Sequence, residues 1–280
     1  MAQLRLRPIE STFIPVEAEV LSPDILAGKT LEEVSTLKVY HGNEAHPLSD
    51  FFELDGETAE KPEEQTILVE GNVAHVKYIG KQMSRGRIII QGDSGMHTGS
   101  QMQGGEIIIN GNAGDWTGAE LKGGRIKVLG DVGDLLGAAY RGSAEGMTGG
   151  QIIVMGNAGS EACSFMRRGM MVVKGDTGAF TGVHMNGGEV FILGKTGSRA
   201  GAQAKGNGGF IACLGGVDEI LPTYRYDTMY TPVFMRLYLR ELIEKHGLKE
   251  LVPLIDAPLK RYRGDLAVGG NSEILLAEKD

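Results

Sequence analysis

The sequence predicts an all-β dominated chain wound as a parallel β-helix, and three observations carry the prediction. The first is 43 glycines in 280 residues, about twice the usual fraction, without the proline- and serine-rich composition of a linker. The second is their period. Gly86–Gly104 reads GRIIIQGDSGMHTGSQMQG, Gly105–Gly123 reads GEIIINGNAGDWTGAELKG, and further copies start at Gly124, Gly150, Gly169 and Gly188. A partial copy starts at Gly209 and a weaker one, Thr66–Arg85, precedes them all, so the spacings from Gly86 run 19, 19, 26, 19, 19 and 21. A fixed period of this size marks a solenoid. The third is the apolar run in each copy, which is three residues long, often β-branched and bounded by glycines. That is a short strand, not a turn of helix.

Side chains alternate across a strand. The pairs Ile88/Ile90, Ile107/Ile109, Ile126/Val128, Ile152/Val154, Met171/Val173 and Val190/Ile192 therefore point inward and stack coil upon coil. A third inward column holds Met102, Leu121, Met147, Met166, Met185 and Ala204. Unbranched Met fills an irregular core, so this column is packing and not a metal or cofactor box. Gly-Asn or Gly-Asp recurs at 71–72, 92–93, 111–112, 130–131, 156–157 and 175–176 and marks corners. Seven to eight such coils make a rod of about 35 Å at one strand spacing per coil. A hexapeptide β-helix fails because 19 is not a multiple of six, and a propeller blade needs roughly forty residues.

Both ends of a solenoid need caps. The expected division is an N-terminal mixed α/β capping region at 1–64, the glycine-repeat β-helix at 65–215 and a C-terminal extension at 216–280. Thr30-Leu-Glu-Glu is a capping box that starts a helix. Thr231-Pro232 starts another and Gly247 ends it. Val233, Phe234, Leu237 and Leu242–Ile243 supply its apolar face.

Composition narrows function. A net charge of −8 argues against nucleic acid or an anionic membrane surface. The first residues carry no apolar run fit for a signal peptide and no stretch is long enough to span a bilayer, so a cytoplasmic protein is expected. Cys163 and Cys213 read as buried thiols of a reducing compartment. GEVFILGKT at 188–196 has five residues between its glycines where a phosphate-binding loop needs four. The six histidines show no metal-site spacing and read as surface residues. Asp93, Asp131 and Asp176 recur in one column, but Asn alternates with them, which is turn chemistry. No catalytic, cofactor-binding or metal-ligating residue emerges.

Three features ask for a partner. The middle strand column faces outward, yet it holds Ile89, Ile108, Lys127, Ile153, Val172 and Phe191. An apolar strip of this length is normally covered, by the chain's own termini or by another protein of an assembly. In Gly150–Arg168 the fourth glycine of the repeat is replaced by Cys163 and the closing glycine by Arg168, beside Arg167. Between Gly137 and Gly150 the coil carries seven extra residues while the flanking registers resume unshifted. The insertion therefore leaves at a corner as an outer loop, and it carries Tyr140 and Arg141, types enriched at interface hot spots. Tyr140, Arg141, Arg167, Arg168 and Phe191 are the candidate partner contacts.

The run GGEIIINGNAGDWTGAELKGGRIKVLGDVGDLLGAAYRGSAEGMTGG resembles the C subunit of formylmethanofuran dehydrogenase. The repeats are also similar to the C-terminal domain of the glutamate synthase large subunit. SPDILAGKTLEEV (22–34), HGNEAHPLSDFFELDGE (41–57) and RYRGDLAVGG (261–270) extend the likeness to the dehydrogenase family at both ends. The resemblance implies a right-handed β-helix and a place in a cytoplasmic complex of methanogenic archaea. That complex reduces CO2 at a molybdenum- or tungsten-pterin centre and condenses the formate with methanofuran at a zinc amidohydrolase site. The molybdopterin or tungstopterin, iron–sulfur clusters and zinc are implied for other subunits, and no ligand residue carries over to this chain. The expected role is a non-catalytic scaffold. The alternatives are the similar C subunit of a bacterial formyltransferase/hydrolase complex, or a free-standing β-helix enzyme or binding protein.

Overall fold

The structure, a computed structural model, describes residues 2–9, 12–206 and 208–277. The N-terminal region places β1 (Ala2–Pro8), β2 (Val16–Glu17), α1 (Pro23–Leu26), α2 (Leu31–Ser35), β3 (Lys38–His41), β4 (Glu44–Pro47) and β5 (Phe52–Gly56) before the repeats. Thr30 forms the expected capping box, with Oγ1 accepting from the Glu33 N–H at 3.2 Å and the Glu33 carboxylate accepting from the Thr30 N–H at 2.8 Å. Strand β1 runs antiparallel to β5 and parallel to β6 (Gln65–Val69), so the chain's own start abuts the first repeat. Strands β2, β3, β4 and β7 (Val76–Lys77) form a separate four-stranded sheet.

The repeats supply β8 (Arg87–Ile90), β9 (Glu106–Ile109), β10 (Arg125–Val128), β11 (Thr148–Val154), β12 (Arg168–Val173), β13 (Glu189–Ile192) and β14 (Phe210–Cys213). From β6 onward each is the parallel neighbour of the next. Ile88 lies on Ile107, Ile107 on Ile126, Ile126 on Ile152 and Ile152 on Met171. A second line of parallel bridges joins Val73, Ser94, Ala113, Val132, Ala158, Thr177, Thr196 and Val217 in the same order. The molecule is thus mostly β, with one sheet of 13 strands. The paired inward columns and the Met column are fully buried from Ile88 to Ile192.

The C-terminal residues answer the question of the apolar strip for its last coils. Strands β15 (Arg225–Tyr230), β16 (Leu259–Gly264) and β17 (Ser272–Ala277) extend the sheet, with β17 parallel on β14. Helix α3 (Met235–His246) crosses the outer face, and its residues Met235, Leu239 and Leu242 form a second core with Ile153, Val172, Phe191 and Ala212. At 12 residues and 1.5 Å per residue, α3 is roughly 18 Å long, close to four strand spacings. That span carries it from Phe210, whose ring meets Phe234 just before the helix, to Arg125 and Lys127, whose charges act on His246. Gly247 ends it in the left-handed conformation, φ 74°, as expected. The buried face differs from the expected one. Met235, Leu239, Leu242 and His246 turn inward at helical spacing, whereas Val233 and Leu237 are 65% and 76% exposed. Toward the other end of the strip, Ile89 and Ile108 stay half-buried.

Corner glycines sit where a coil turns inward. A Cβ at Gly99 would lie 2.5 Å from Cδ1 of Ile126, and at Gly118 or Gly182 it would lie 2.6 Å from Cδ1 of Ile152 or Ile211. In each case the isoleucine belongs to the coil two strands on. Cys163 holds this place in its own coil, with φ 61° and no exposure. By the same register its opposite residue is Val190, which has no Cδ1. The shorter side chain leaves room at this place, and the Cys163 thiol itself meets Sδ of Met171 at 3.0 Å.

Two stability tests follow from these columns. Ile107→Asp puts a carboxylate into the stack without a partner and is expected to cost about 3 kcal/mol or more; an unchanged melting temperature would mean that the strand phase is wrong. Val190→Ile is expected to overpack against Cys163 by about 1–3 kcal/mol, and Cys163→Gly in the same chain to relieve it. Additive effects of the two changes would refute the pairing.

Candidate functional site

Two columns of non-glycine residues turn the chain with positive φ. One holds Tyr78, His97, Trp116, Leu135, Glu161, Phe180 and Arg199; the other holds Gln82, Gln101, Glu120, Phe165, His184 and Gln203. The left-handed region costs an ordinary residue roughly 1–2 kcal/mol, so these side chains must return something. Many of them do so by meeting a counterpart one coil away. His97 stacks on Tyr78 with centroids 4.6 Å apart and the planes 11° from parallel, and Phe165 stacks on His184 at 4.4 Å. Gln82 donates to Gln101 at 3.0 Å and Gln101 to Glu120 at 2.9 Å.

Both columns meet the seven-residue insertion partway along their length. The Tyr140 ring stacks on Trp116 at 5.0 Å, and its hydroxyl lies 2.9 Å from Nδ1 of His97. The Tyr140 N–H donates to Glu120 at 3.2 Å. The far side of the loop is held by Arg167, whose Nη2 donates to the Ala144 carbonyl at 2.8 Å. The loop is an outer excursion, but one fastened at both ends to the body of the molecule.

The five candidate contacts therefore separate. Tyr140 is half-buried and engaged with His97 and Trp116. Phe191 is fully buried under α3, packed edge-on against Phe210; this corrects its expected role, because the chain's own helix occupies the position of a partner. Arg141 and Arg168 are exposed, and Arg167 is half-exposed with its Nε buried and unpartnered. Arg167, Arg168, Glu145, Thr148 and Asn186 line a cleft of about 390 Å3. A second cleft of about 230 Å3 shares Arg167 and Asn186 and adds His184, Gln203 and Lys205. Among the described residues none of Arg141, Arg167, Arg168 and Lys205 has an ion pair. Arg167, Arg168 and Lys205 give these two clefts cationic linings beside Glu145, while Arg141 lines a separate cleft with Trp116, Tyr140 and Glu161.

His97 is a correction as well. It is not a solvated surface histidine but a member of the aromatic column. The signal was present in the sequence, since Tyr78, His97 and Trp116 are 19 residues apart. Burial, together with Lys77 and Lys81 and against Asp115, holds its imidazole down at about 4. Burial pushes the Tyr140 hydroxyl up to about 12. At neutral pH both are uncharged, which suits a neutral hydrogen bond. Among the described residues no group of three or more His, Cys, Asp or Glu is placed to hold a metal ion, and no helix is long and apolar enough to cross a membrane.

No family model matches the chain. Over 97 residues it is 41% identical to the C subunit of tungsten-containing formylmethanofuran dehydrogenase 2 from Methanothermobacter wolfeii, covering 35% of this chain and 36% of the relative. It is likewise 41% identical over 97 residues to the C subunit of molybdenum-containing formylmethanofuran dehydrogenase 1 from Methanosarcina barkeri, covering 32% of that relative. The match thus spans about a third of the length of these curated relatives. Among solved structures, a chain of the formyltransferase/hydrolase complex from Methylorubrum extorquens, solved with methylofuran, superposes with a TM-score of 0.87 at 29% identity, covering 98% of this chain and all of that one.

The His97 environment makes stability depend on pH. The unfolded imidazole takes up its proton near 6.5, whereas the folded one does so at about 4. Between those values the unfolded chain binds the extra proton, so this contribution is complete above 6.5, declines as pH falls and is gone below about 4. Melting followed from pH 7 to pH 4 is expected to fall less steeply in His97→Gln than in the wild type. Parallel curves would show that His97 titrates normally. Over about a third of its length the chain is thus similar to the C subunits of formylmethanofuran dehydrogenases.

Proposed function

We propose that this chain is a non-catalytic scaffold, the C subunit of a cytoplasmic complex of the formylmethanofuran dehydrogenase class. In this reading residues 65–215 form a right-handed parallel β-helix, 1–64 cap one end and 216–280 close the other. The observation that carries the proposal is the likeness to the dehydrogenase C subunits over 97 residues, joined to a superposition over nearly the whole chain on a chain of the formyltransferase/hydrolase complex. The repeat chemistry supports a scaffold, because its recurring residues serve the stack. The Asp93, Asn112, Asp131, Asn157 and Asp176 side chains each accept a backbone N–H from the next coil at 2.6–2.8 Å.

Pterin–metal, iron–sulfur and zinc chemistry then belongs to partner subunits. The cationic surface of Arg141, Arg167 and Arg168 is the contact to an acidic partner face, with Tyr140 bracing the loop from within and Phe191 seating α3 behind it. One observation favours the second reading, the C subunit of a formyltransferase/hydrolase complex. The superposition on that complex covers nearly the whole chain, while the dehydrogenase matches cover about a third of it.

Affinity purification of the native chain tests both. Co-purification with other subunits, molybdenum or tungsten and formylmethanofuran oxidation supports the dehydrogenase. Formyl transfer and hydrolysis without redox activity supports the second reading. A monomer with neither would overturn both and leave a free-standing protein. Reversing the exposed Arg141 and Arg168 to Glu is expected to reduce recovery of the chain with the complex at least several-fold while its melting temperature stays put. Full recovery would make these arginines solvated residues without a contact role.

A further inference from the structure

A cavity of about 660 Å3 lies where α3 meets the last strands of the sheet. Phe210 of β14 lines it, flanked in register by Glu189 of β13 and Glu273 of β17. Phe234 and Tyr238 supply further rings, with centroids 5.4 and 6.1 Å from that of Phe210. Glu241 stands at the margin, held at 2.9 Å by Lys245.

The column to which Glu189 belongs shows what it lacks. Two other coils place Arg87 and Arg125 on either side of Glu106, at 2.9 and 2.5 Å. That carboxylate is neutralised from both neighbours, so a change such as Glu106→Gln, which a solvent-facing strand position would tolerate, breaks an ion network here. Glu189 stands at the equivalent place between Met170 and Phe210. It is half-buried, accepts from the Tyr238 hydroxyl at 3.2 Å and has no cation among the described residues. Glu273, on the other flank, is ion-paired with Arg261 and Arg263 at 3.5 and 3.6 Å, so Glu189 is the carboxylate of this cavity without a cationic partner.

We propose that this cavity binds an organic cation of the guanidinium or ammonium class, seated against Phe210 between the carboxylates of Glu189 and Glu273. Aromatic rings attract a weakly hydrated, delocalised cation, whereas a hard metal ion needs six or more oxygen ligands. Burial raises the Glu189 carboxyl above its ordinary range, a penalty that a bound cation reverses. The cation has two sources, a basic side chain of a partner protein or a free molecule such as a polyamine. The site is built by this chain alone and stands apart from the assembly reading.

Calorimetric titration of the full chain with arginine amide and with spermidine tests it, against potassium chloride at matched ionic strength. Saturable one-to-one binding of at least one probe is expected. It should weaken at least tenfold in Glu189→Gln and several-fold in Phe234→Leu, and stay unchanged in Glu244→Gln, an exposed position of α3 outside the cavity. Folding of each variant is checked by melting, and Phe234→Leu serves if Glu189→Gln does not fold. Repeating the titration on the assembled complex separates the sources. Binding to the isolated chain alone points to a partner's side chain, and binding to both points to a free cation. No saturable binding, or binding indifferent to both cavity substitutions, overturns the proposal.

Discussion

Everything in this molecule depends on in-register parallel stacking at one strand spacing. Each residue lies on its counterpart in the next coil at about 5 Å, so a residue is chosen as a column and not as an individual. Columns of Ile and Val fill the interior because like shapes repeat without slipping. The corner column alternates Asn72, Asp93, Asn112, Asp131, Asn157 and Asp176 for the opposite reason. Each oxygen from Asp93 onward accepts the next coil's N–H, which either residue type can do. An unbroken run of Asp would set carboxylates one strand spacing apart, where like charges repel. Alternation doubles that distance and keeps every hydrogen bond.

The same constraint explains why most of the chain offers so little chemistry. A side chain inside a column is committed to its neighbours above and below. Where the corner residues are not glycine, the cost of a left-handed backbone is offset by stacking across coils, as in Tyr78, His97 and Trp116. Singular chemistry requires a break in the period. Among the described residues three stand out: the insertion after Ala139, the aberrant coil with Cys163 and Arg168, and the end of the stack where α3 folds back over Phe191. The unpaired arginines and the Glu189 cavity lie at these breaks.

This also accounts for what was legible in the sequence. The inward columns, the strand phase, the Thr30 capping box and the Gly247 stop could be read because each is local or periodic. The closing of the strip over Ile153, Val172 and Phe191 could not, because nothing local says that a helix starting only at Met235 returns to cover it. Val233 and Leu237 fall outside the buried face of α3 because apolar residues lie on more than one side of this helix. Tyr140 was read as a surface anchor because an insertion has no counterpart one period away to stack on. Its actual counterpart, Trp116, lies 24 residues back in the sequence, outside the 19-residue rhythm.

Glu106 and Glu189 carry the point furthest. They share a residue type and a repeat position, and a sequence read coil by coil treats them alike. Their difference lies in the columns around them. Arg87 and Arg125 bracket the first, while Met170 and Phe210 bracket the second. The first has its charge settled within the stack and has become part of the frame. The second keeps a half-buried charge that the stack leaves unanswered, under a helix that exists only at this end of the molecule. In a sheet of stacked repeats the meaning of a residue is set by the two strands that flank it, and a site begins where those two strands stop matching.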